Sequence, residues 1–499
     1  MVFKYSCARL INVTITPPSC SGSSLSKRTI GYYESWGNTH PCNKMYPEGI
    51  PIGSYTHLNF AFAFINPSTF VVSPMSDRDP ALYTHFTALK NTNPGLQTWI
   101  SIGRWSMNDL DQPTATTFSD LAGSTDAQTK FFASALLFLE TYGFDSVNID
   151  WEYPIAPEWS GKPADYQNYV TFLQNFRNAL HSSGHNYGFT ITIPSSFWYM
   201  QHFNISAIKK TIDWFNVMSY DLHSTWDSTN KFLGPFIASH TNLMEIDNAL
   251  SLLWHNNIDP DNVVLGLSFY GQSFTLANPS CNTPGCVFTS VGQAGTCTQS
   301  VGTLSFAEIQ CLVAEGAKVT TNTTVAVKMV TYNTNQWVSY DNTETFQMKI
   351  DFANSHCLGG TMVWASSTDN AQDPITSCQL GECGQSCPTS LSPAQRSDGK
   401  NRGNTGTNMG CTGSDSWLYC CPSNDMPTCT WRGTTPFCDG KCHDGEVEVT
   451  SSTSGTGASC WMGHKVLCCL KTASDLAVSE CCTIWPSRLS LWTKGSYHQ

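Results

Sequence analysis

The residues best suited to chemistry lie in the stretch FDSVNIDWEYP, residues 144–154, where Asn148, Asp150 and Glu152 occupy every second position. Successive side chains of a β-strand point to opposite faces, so these three polar groups should share one face. Burying a carboxylate costs several kcal/mol unless the group is paired or protonated. The pattern indicates either a buried hydrogen-bond network or a functional site, and we favour the functional site.

Asp150 and Glu152 form a pair of carboxyl groups that favours one kind of reaction. Burial and the nearby charge of Asp150 both disfavour ionisation of Glu152, which would make it a protonated general acid. An acid beside a carboxylate suits cleavage of a glycosidic bond. Ordinary retaining glycosidases need a second carboxylate about 5 Å away, whereas some enzymes use the substrate's own 2-acetamido oxygen as the nucleophile. In that second case Asp150 would orient the acetamido group.

The elements that position this strand follow from a wider pattern. Between about residues 28 and 369, short β-branched or aromatic runs alternate with amphipathic helices such as Asp126–Tyr142 and Ala164–His181, which indicates βα units. The candidate strands are TIGYYESW, THLNFAFAFI, LQTWISIGRW, FDSVNIDWEY, YGFTITIPSS, IDWFNVMSYDL, NVVLGLSFYG and GGTMVWASS. We predict an α/β fold, a (β/α)8 TIM barrel, with a doubly wound open sheet as the alternative. Barrel sites lie at the carboxyl ends of the strands, which places Glu152 at the mouth.

Cysteine spacing suggests the remaining organisation. Residues 1–28 form an N-terminal extension, and 29–377 form the barrel with an insertion at about 272–331, between strands 7 and 8. We expect local disulfides in this insertion, among Cys281, Cys286, Cys297 and Cys311. Residues 378–499 hold many of the chain's 22 cysteines and are predicted to be a separate disulfide-rich module. Cys7 and Cys20 could belong to a truncated upstream module.

Composition restricts the partners and the compartment. The net charge of -12 disfavours a nucleic-acid partner, because phosphates would be repelled. The 22 cysteines, an even number, together with sequons at Asn12, Asn204 and Asn322, indicate a secreted, disulfide-bonded glycoprotein. No apolar run is long enough to span a membrane. The first 20 residues lack a convincing signal peptide, and we expect that the chain is truncated upstream.

Several segments resemble one enzyme family. GFDSVNIDWEYP is similar to the DxxDxDxE motif of the family-eighteen chitinases, with Asp145, Asn148, Asp150 and Glu152 at its four positions. IGYYESW resembles the first strand of that family, SIGRW its SxGGW, MSYDLHSTW its MxYD, GLSFYGQSF its GxPxYGRxF and GGTMVWA its eighth-strand tryptophan segment. The resemblance covers about residues 29–375, and the cysteine-rich tail resembles that of secreted fungal, killer-toxin-like chitinases.

This resemblance implies a set of site residues. The catalytic residues would be Glu152 as proton donor and later base, Asp150 as the group that holds the acetamide, and Tyr220. The substrate-binding residues would be Asn148, Tyr32, Trp36, Ser101, Trp105, Met218, Asp221 and Trp364. Among these, Trp364 would form the floor, Trp36 and Trp105 would stack on neighbouring sugars, and Tyr32 and Ser101 would contact residue 148. Trp151 and Tyr153 alternate away from the acids and are expected in the core.

The sequence also departs from the family pattern. Asn148 replaces the family's aspartate, Arg104 the second glycine of SxGG and Ser146 the glycine after Asp145, while Ser268 and Gln272 replace the proline and arginine of GxPxYGR. An amide at position 148 can donate to Asp150 but cannot take up a proton, so we expect slower hydrolysis with a changed pH profile. The cation at position 104 could block or extend sugar binding, or pair with Asp109 or Asp111.

The resemblance thus implies hydrolysis of β-1,4-linked N-acetylglucosamine polymers, chitin and its oligosaccharides, by a retaining, substrate-assisted glycoside hydrolase. The alternatives are a non-hydrolysing chitin-binding lectin and a toxin-associated chitin-binding subunit. No metal cluster or cofactor fingerprint is visible, and the mechanism requires none. The tail could bind sugar or serve only as a stabilising appendage. The sequence does not specify the oligomeric state, or endo as against exo action.

Overall fold

The computed structural model describes most of the first 368 residues and part of the rest. The described residues are 17–20, 27–91, 93–368, 379–380, 386–387, 391–398, 416–422, 428–435, 437–443, 446–452, 460 and 462–470. Asn12 and Cys7 lie outside them. The chain divides into two compact units, Met1–Asp369 and Asn370–Gln499. None of the helices in the described ranges is both long and apolar enough to cross a membrane.

The first unit contains fifteen of the strands that the structure describes. They are β1 (Thr29–Glu34), β2 (His57–Ile65), β3 (Val72–Pro74), β4 (Gln97–Gly103), β5 (Ser146–Asp150), β6 (Gly188–Pro194), β7 (Phe215–Met218), β8 (Val263–Ser268), β9 (Tyr270–Leu276), β10 (Phe288–Val291), β11 (Thr303–Ser305), β12 (Lys318–Asn322), β13 (Val327–Tyr332), β14 (Gln336–Tyr340) and β15 (Gly360–Trp364). The α-helices between them are α1 (Asp79–Ala88), α2 (Thr117–Ala122), α3 (Thr125–Tyr142), α4 (Asp165–Ser182), α5 (Phe197–Met200), α6 (Ile205–Ile208), α7 (Leu243–His255), α8 (Phe306–Ala314) and α9 (Thr343–Ser355).

Eight of these strands close into a parallel barrel in the order β1, β2, β4, β5, β6, β7, β8 and β15. Closure is made on the two sides of β1, where Thr29 pairs with Thr361 of β15 and Ile30 pairs with His57 of β2. Each of the eight strands overlaps one of the segments predicted from sequence. The (β/α)8 prediction is therefore confirmed, and the open-sheet alternative is wrong.

The two predicted helices form because their ends carry suitable residues. Helix α3 begins after Ser124, whose side chain accepts a hydrogen bond from the backbone N–H of Ala127, and it ends at Gly143 with φ +73°. Helix α4 carries Tyr169, Leu173 and other buried residues on one face, as its amphipathic pattern requires. Along the chain, α3 connects β4 to β5 and α4 connects β5 to β6.

An antiparallel sheet lies between barrel strands β8 and β15. It runs in the order β10, β9, β14, β13 and β12, with β11 paired to β9, and it extends beyond residues 272–331 at both ends. The Cys281–Cys286 disulfide is local, as expected. Cys297, however, pairs with Cys42 in the loop after β1. This disulfide joins the insertion to the barrel, which corrects the expectation that Cys297 pairs locally.

Cys20 also pairs within the first unit. It forms a disulfide with Cys357, and its backbone N–H donates to the carbonyl of Ser355 at 2.9 Å. The segment before β1 is therefore fastened at the end of helix α9. The idea that Cys20 belongs to a separate upstream module is wrong.

The second unit consists of short strands held by disulfides. Its strands are β16 (Gln379–Leu380), β17 (Leu391–Asp398), β18 (Ser416–Pro422), β19 (Thr428–Arg432), β20 (Phe437–Asp439), β21 (Glu446–Ser452) and β22 (Met462–Leu470). Its disulfides among the described residues are Cys387–Cys420, Cys429–Cys469, Cys438–Cys460 and Cys442–Cys468. Short strands with little core between them gain much of their stability from such cross-links.

Candidate active site

Strand β5 places Asn148 at the centre of a buried hydrogen-bond network. The Asn148 Nδ2 donates to Ser101 Oγ at 2.8 Å and to Thr192 Oγ1 at 3.0 Å. Its Oδ1 accepts from Thr190 Oγ1 at 3.0 Å and from Asn216 Nδ2 at 3.1 Å. Both amide hydrogens are thus used by hydroxyl groups of neighbouring strands. The expected bond from this amide to Asp150 therefore has no hydrogen left to form it.

Asp150, the last residue of β5, is buried at the mouth of the barrel. Its Oδ1 is buried and has no hydrogen-bond partner among the described residues. Burial raises the pKa of Asp150, while the Thr192 hydroxyl and the positive charge of Arg104 act in the opposite direction. A buried carboxylate oxygen without a donor is costly in the unliganded protein. It is suited to accept a hydrogen bond from a ligand.

Glu152 lies two residues beyond the strand and is only 8% exposed. Its pKa is raised well above the ordinary range, first by burial and next by the charge of Asp150. The Tyr153 side chain and the backbone of Trp105 offer hydrogen bonds that lower it in part. A raised pKa favours the protonated form of Glu152, which is the form that a general acid requires.

Aromatic rings line the barrel mouth near these acids. Trp364, at the end of β15, stacks against Phe62 with ring centroids 5.4 Å apart and an interplanar angle of 29°, and its ring centroid lies 5.6 Å from that of Tyr32. Tyr32 is buried, and burial together with the charge of Asp150 raises the pKa of its hydroxyl. Met218 packs against the same cluster. The ring expected to form the floor is thus held by other aromatic side chains.

Tyr220 and Asp221 follow strand β7. The Tyr220 hydroxyl contacts Met362 Sδ at 3.7 Å, and burial followed by the charges of Tyr32 and Asp150 raises its pKa. Asp221 is exposed, and its Oδ1 accepts a hydrogen bond from Gln272 Nε2 at 2.8 Å. Gln272, one of the departures from the family pattern, therefore fixes the orientation of Asp221 with a neutral amide.

Trp36 and Trp105 occupy different surroundings. Trp105 is 38% exposed and packs against Trp159 with ring centroids 4.1 Å apart. Trp36 is half-buried, and the guanidinium carbon of Arg104 lies 4.3 Å from its ring centroid. Arg104 makes no ion pair with Asp109 or Asp111, the partners considered from the sequence. Its guanidinium instead makes a cation–π contact with the Trp36 ring.

Two residues near the acids were not selected from the sequence. Glu34 follows Tyr32 at the next alternate position of β1, so the period-two argument applied to β5 would have found it. It is buried, and burial raises the pKa of Glu34 to about 7 although Ser367 and Arg104 oppose this effect. Tyr153 was expected in the core and is buried, stacking on Tyr199 at 4.4 Å, yet its hydroxyl also interacts with Glu152.

Trp151, the other residue expected in the core, stacks on Phe118 with ring centroids 5.3 Å apart and an interplanar angle of 12°. It is 1% exposed and lies away from the acids. The alternation of side chains along and just beyond β5 thus separates Trp151 from Asp150 and Glu152, as the sequence predicted.

A cavity of about 490 Å³, within the usual size range of ligand pockets, is lined by Arg104, Asp221 and Trp364 but not by Asp150 or Glu152. Its aromatic lining includes Trp36, Tyr270 and Trp364, and its charged lining includes Glu34, Arg104 and Asp221. The full lining is Glu34, Trp36, Thr39, His40, Pro41, Arg104, Asp221, Tyr270, Gln272, Cys297, Thr298, Gln299, Ser300, Thr303, Ser305, Trp364 and Thr368. Aromatic faces combined with many polar groups suit a sugar better than an apolar ligand.

Comparisons with known proteins agree with this arrangement. The profile described as Glycosyl hydrolases family 18 matches residues 28–369. The protein named Secreted chitinase LysM12 from Penicillium expansum is 30% identical over 366 residues, which cover 69% of this chain and 24% of that relative. The protein named Killer toxin subunits alpha/beta from Kluyveromyces lactis is 30% identical over 357 residues, covering 70% of this chain and 29% of that relative.

Among solved structures, that of the Ostrinia furnacalis Group IV chitinase in complex with allosamidin superimposes with a TM-score of 0.62 at 26% identity, over 69% of this chain and 93% of that chain. The chain spans only 24–32% of the length of the first curated relatives that it matches. The family match nevertheless covers more than half of this chain and all eight barrel strands, and the chain belongs to the glycosyl hydrolases of family 18.

Proposed function

We propose that this protein hydrolyses chitin and chitin oligosaccharides, cleaving β-1,4-linked N-acetylglucosamine with retention of configuration. One observation carries the proposal. In the part of the chain that the structure describes, no group donates to the buried Asp150 Oδ1, and the pKa of the neighbouring Glu152 is raised. A carboxylate oxygen that lacks a donor fits an acetamido N–H, and a protonated carboxyl group fits a glycosidic oxygen.

In the first step Glu152 transfers its proton to the glycosidic oxygen as the bond to the anomeric carbon breaks. The acetamido carbonyl oxygen of the same sugar forms the new bond to that carbon, which gives a cyclic oxazolinium ion. Asp150 accepts the acetamido N–H and balances the positive charge. The low exposure of both carboxyl groups strengthens these interactions, because little water screens them.

In the second step the Glu152 carboxylate removes a proton from water, which attacks the anomeric carbon and opens the oxazolinium ring. The proton taken from water restores Glu152 to its acid form for the next cycle, while the first proton has left with the departing sugar. Two inversions at the same carbon give net retention. Tyr220 would donate to the acetamido oxygen; the influence of the Asp150 charge on its hydroxyl and its raised pKa, which keeps its proton in place, support this role. Trp364 would support the sugar face.

We also propose that the protein acts outside the cell. Two disulfides of the first unit, Cys20–Cys357 and Cys42–Cys297, link segments far apart in the chain, and such bonds persist in oxidising compartments. The relative from Penicillium expansum carries the word secreted in its name. Detection of the protein in culture medium, compared with the cell pellet, would test this location.

The test of function is turnover of a soluble chitin oligosaccharide by the purified chain beside its Glu152→Gln variant. We expect the variant to lose about 10²- to 10⁴-fold in kcat, as for removal of a general acid, while it still binds the oligosaccharide. Glu140→Gln, an exposed glutamate on α3, is the matched control and should keep full activity. The anomer released at early times, followed by NMR, should be the β form.

Binding by the parent and by Glu152→Gln with turnover in neither would instead support the lectin alternative. Equal turnover in both would remove Glu152 from the mechanism. The α anomer as first product would contradict the retaining route.

A further inference from the structure

The ring of Trp36 lies between other side chains. Its centroid is 6.3 Å from that of Phe62 with an interplanar angle of 20°, so these two rings are nearly parallel. The guanidinium carbon of Arg104 lies 4.3 Å from the Trp36 ring centroid, over its face. A sugar ring stacks on an aromatic face through its C–H groups and needs that face uncovered. Arg104 thus covers one face of the Trp36 ring.

The position of Arg104 is fixed by its backbone and by nearby charges. Its backbone N–H donates to the carbonyl of Asp150 at 2.9 Å, which ties it to the end of β5. Its φ is +119°, a conformation that favours glycine. Burial lowers the pKa of the Arg104 guanidinium, and the acidic groups of Glu34, Glu152, Asp109 and Asp150 around it oppose this effect. The backbone hydrogen bond to Asp150 and the surrounding acidic groups therefore both favour the position of Arg104 over Trp36.

Arg104 and Trp36 line the same cavity as Trp364, the expected floor under the cleaved sugar. The lining of this cavity also includes His40 and Gln299, the latter from the insertion. The loops that carry these two residues are joined by the Cys42–Cys297 disulfide. A sugar chain that extends from Trp364 into this cavity therefore meets the capped Trp36.

We infer that Arg104 covers Trp36 and thereby shortens the sugar-binding cleft, so that residue 104 determines which oligosaccharide lengths this protein prefers. The inference rests on the proposed function. With Arg104 in place, sugars beyond the first few contribute little to binding, because the next aromatic face is covered. With a small residue at this position, Trp36 provides one further stacking contact.

The test is the dependence of affinity on oligosaccharide length, measured by calorimetry with N-acetylglucosamine oligomers of increasing length. Glu152→Gln serves as the background so that the ligands survive, and Arg104→Gly is added to it, since glycine accepts the positive φ without strain. We expect the longer oligomers to bind about fivefold more tightly after Arg104→Gly, the scale of one aromatic contact, with the disaccharide unchanged.

Two controls make the result specific. Adding Trp36→Ala to Arg104→Gly should abolish the gain, because the uncovered ring is its source. Arg78→Ala, which removes an exposed arginine in the segment before α1, should leave the length dependence unchanged. Far-ultraviolet circular dichroism and thermal midpoints of all variants establish that each one is folded.

A gain that survives Trp36→Ala, an identical length profile before and after Arg104→Gly, or a loss of affinity at every length would each overturn the inference. The last outcome would make Arg104 a sugar ligand. The proposed function is judged separately, by turnover in the chain with Glu152 intact. If that chain cleaves oligosaccharides and the length profile does not move, only the inference about Arg104 fails; no turnover and no binding by any variant would overturn both.

Discussion

At the scale of single residues, the site differs from the family pattern mainly in where protons can reside. Asn148 has its amide hydrogens and its oxygen fully bonded to neighbouring strands. These bonds satisfy the buried polar groups around Asn148. Its amide takes no part in proton transfer. Asp150 and Glu152 are left as the titrating pair, with Arg104 as a nearby cation.

The first residue-scale prediction concerns Asn148→Asp. A carboxyl group at this position can share a proton with Asp150, so charge can move during the cycle. We expect a severalfold rise in kcat and a shifted pH profile of kcat/KM, measured on a soluble oligosaccharide from pH 3 to about pH 9, a range that spans the ordinary and raised carboxyl pKa values. Asn148→Ala is the control, since it removes the amide without adding an acid. Identical rates and profiles for the parent and Asn148→Asp would contradict the argument.

The second concerns Glu34 and stability. Burial raises the pKa of Glu34 from 4.5 to about 7, so in this range the folded chain keeps a proton that the unfolded chain loses. The contribution of Glu34 to the free energy of unfolding is thus full below pH 4.5 and decreases as pH rises towards about 7. The difference between these pKa values corresponds to at most about 3 kcal/mol.

Glu34→Gln keeps the shape and removes the titration. Relative to this variant, the parent should become less stable as pH rises from about 4 to about 8, as measured by denaturant midpoints. The exposed Glu140→Gln variant is the control and should follow the parent. Stability curves for the parent and Glu34→Gln that stay parallel across this range would show that Glu34 does not titrate as its burial requires.

At the scale of elements, β4 and β5 must approach closely where the site begins. A Cβ on Gly103 would lie 1.9 Å from the carbonyl oxygen of Asp150, so only glycine fits at the end of β4. The pairing of Gly103 with Asp150 then sets the positions of Arg104 and Glu152 on neighbouring loops. The register of β4 against β5 therefore brings the Arg104 guanidinium close to Asp150 and Glu152.

The barrel was predictable because each strand carries its own local pattern of β-branched and aromatic residues. The row of Asn148, Asp150 and Glu152 was predictable for the same reason, since alternation is a local property. The Cys42–Cys297 bond and the contact of Arg104 with Trp36 were not, because each joins loops that are distant in sequence. Loop contacts of this kind depend on closure of the barrel.

The element-scale prediction compares two disulfides of the insertion. Cys42–Cys297 spans 255 residues and Cys281–Cys286 spans 5. In the chain-entropy account, cross-linking stabilises by up to about 5 kcal/mol for the long loop and about 2 kcal/mol for the short one. Replacing both cysteines of Cys42–Cys297 by serine should therefore lower the unfolding midpoint more than the same change at Cys281–Cys286. A larger loss at the short loop would show that local geometry outweighs chain entropy here.

At the scale of the whole molecule, the residues of the candidate site lie within the first unit. The family match ends at residue 369, where the first compact unit also ends. In the second unit, the aromatic residue Tyr419 is only 2% exposed. Its ring belongs to the packing of that unit and is unavailable to a ligand.

This division predicts the effect of ending the chain after residue 369. The shortened chain should hydrolyse soluble oligosaccharides with the parent's kcat and KM. Asp150, Glu152, Trp364 and the cavity all belong to the first unit. The shortened chain with Glu152→Gln is the control for background turnover. A large fall in kcat with a normal thermal midpoint would show that the second unit contributes to the reaction.

Retention on insoluble chitin, measured for both lengths, then decides the role of the tail: weaker retention of the shortened chain assigns sugar binding to residues 370–499, whereas equal retention removes that role.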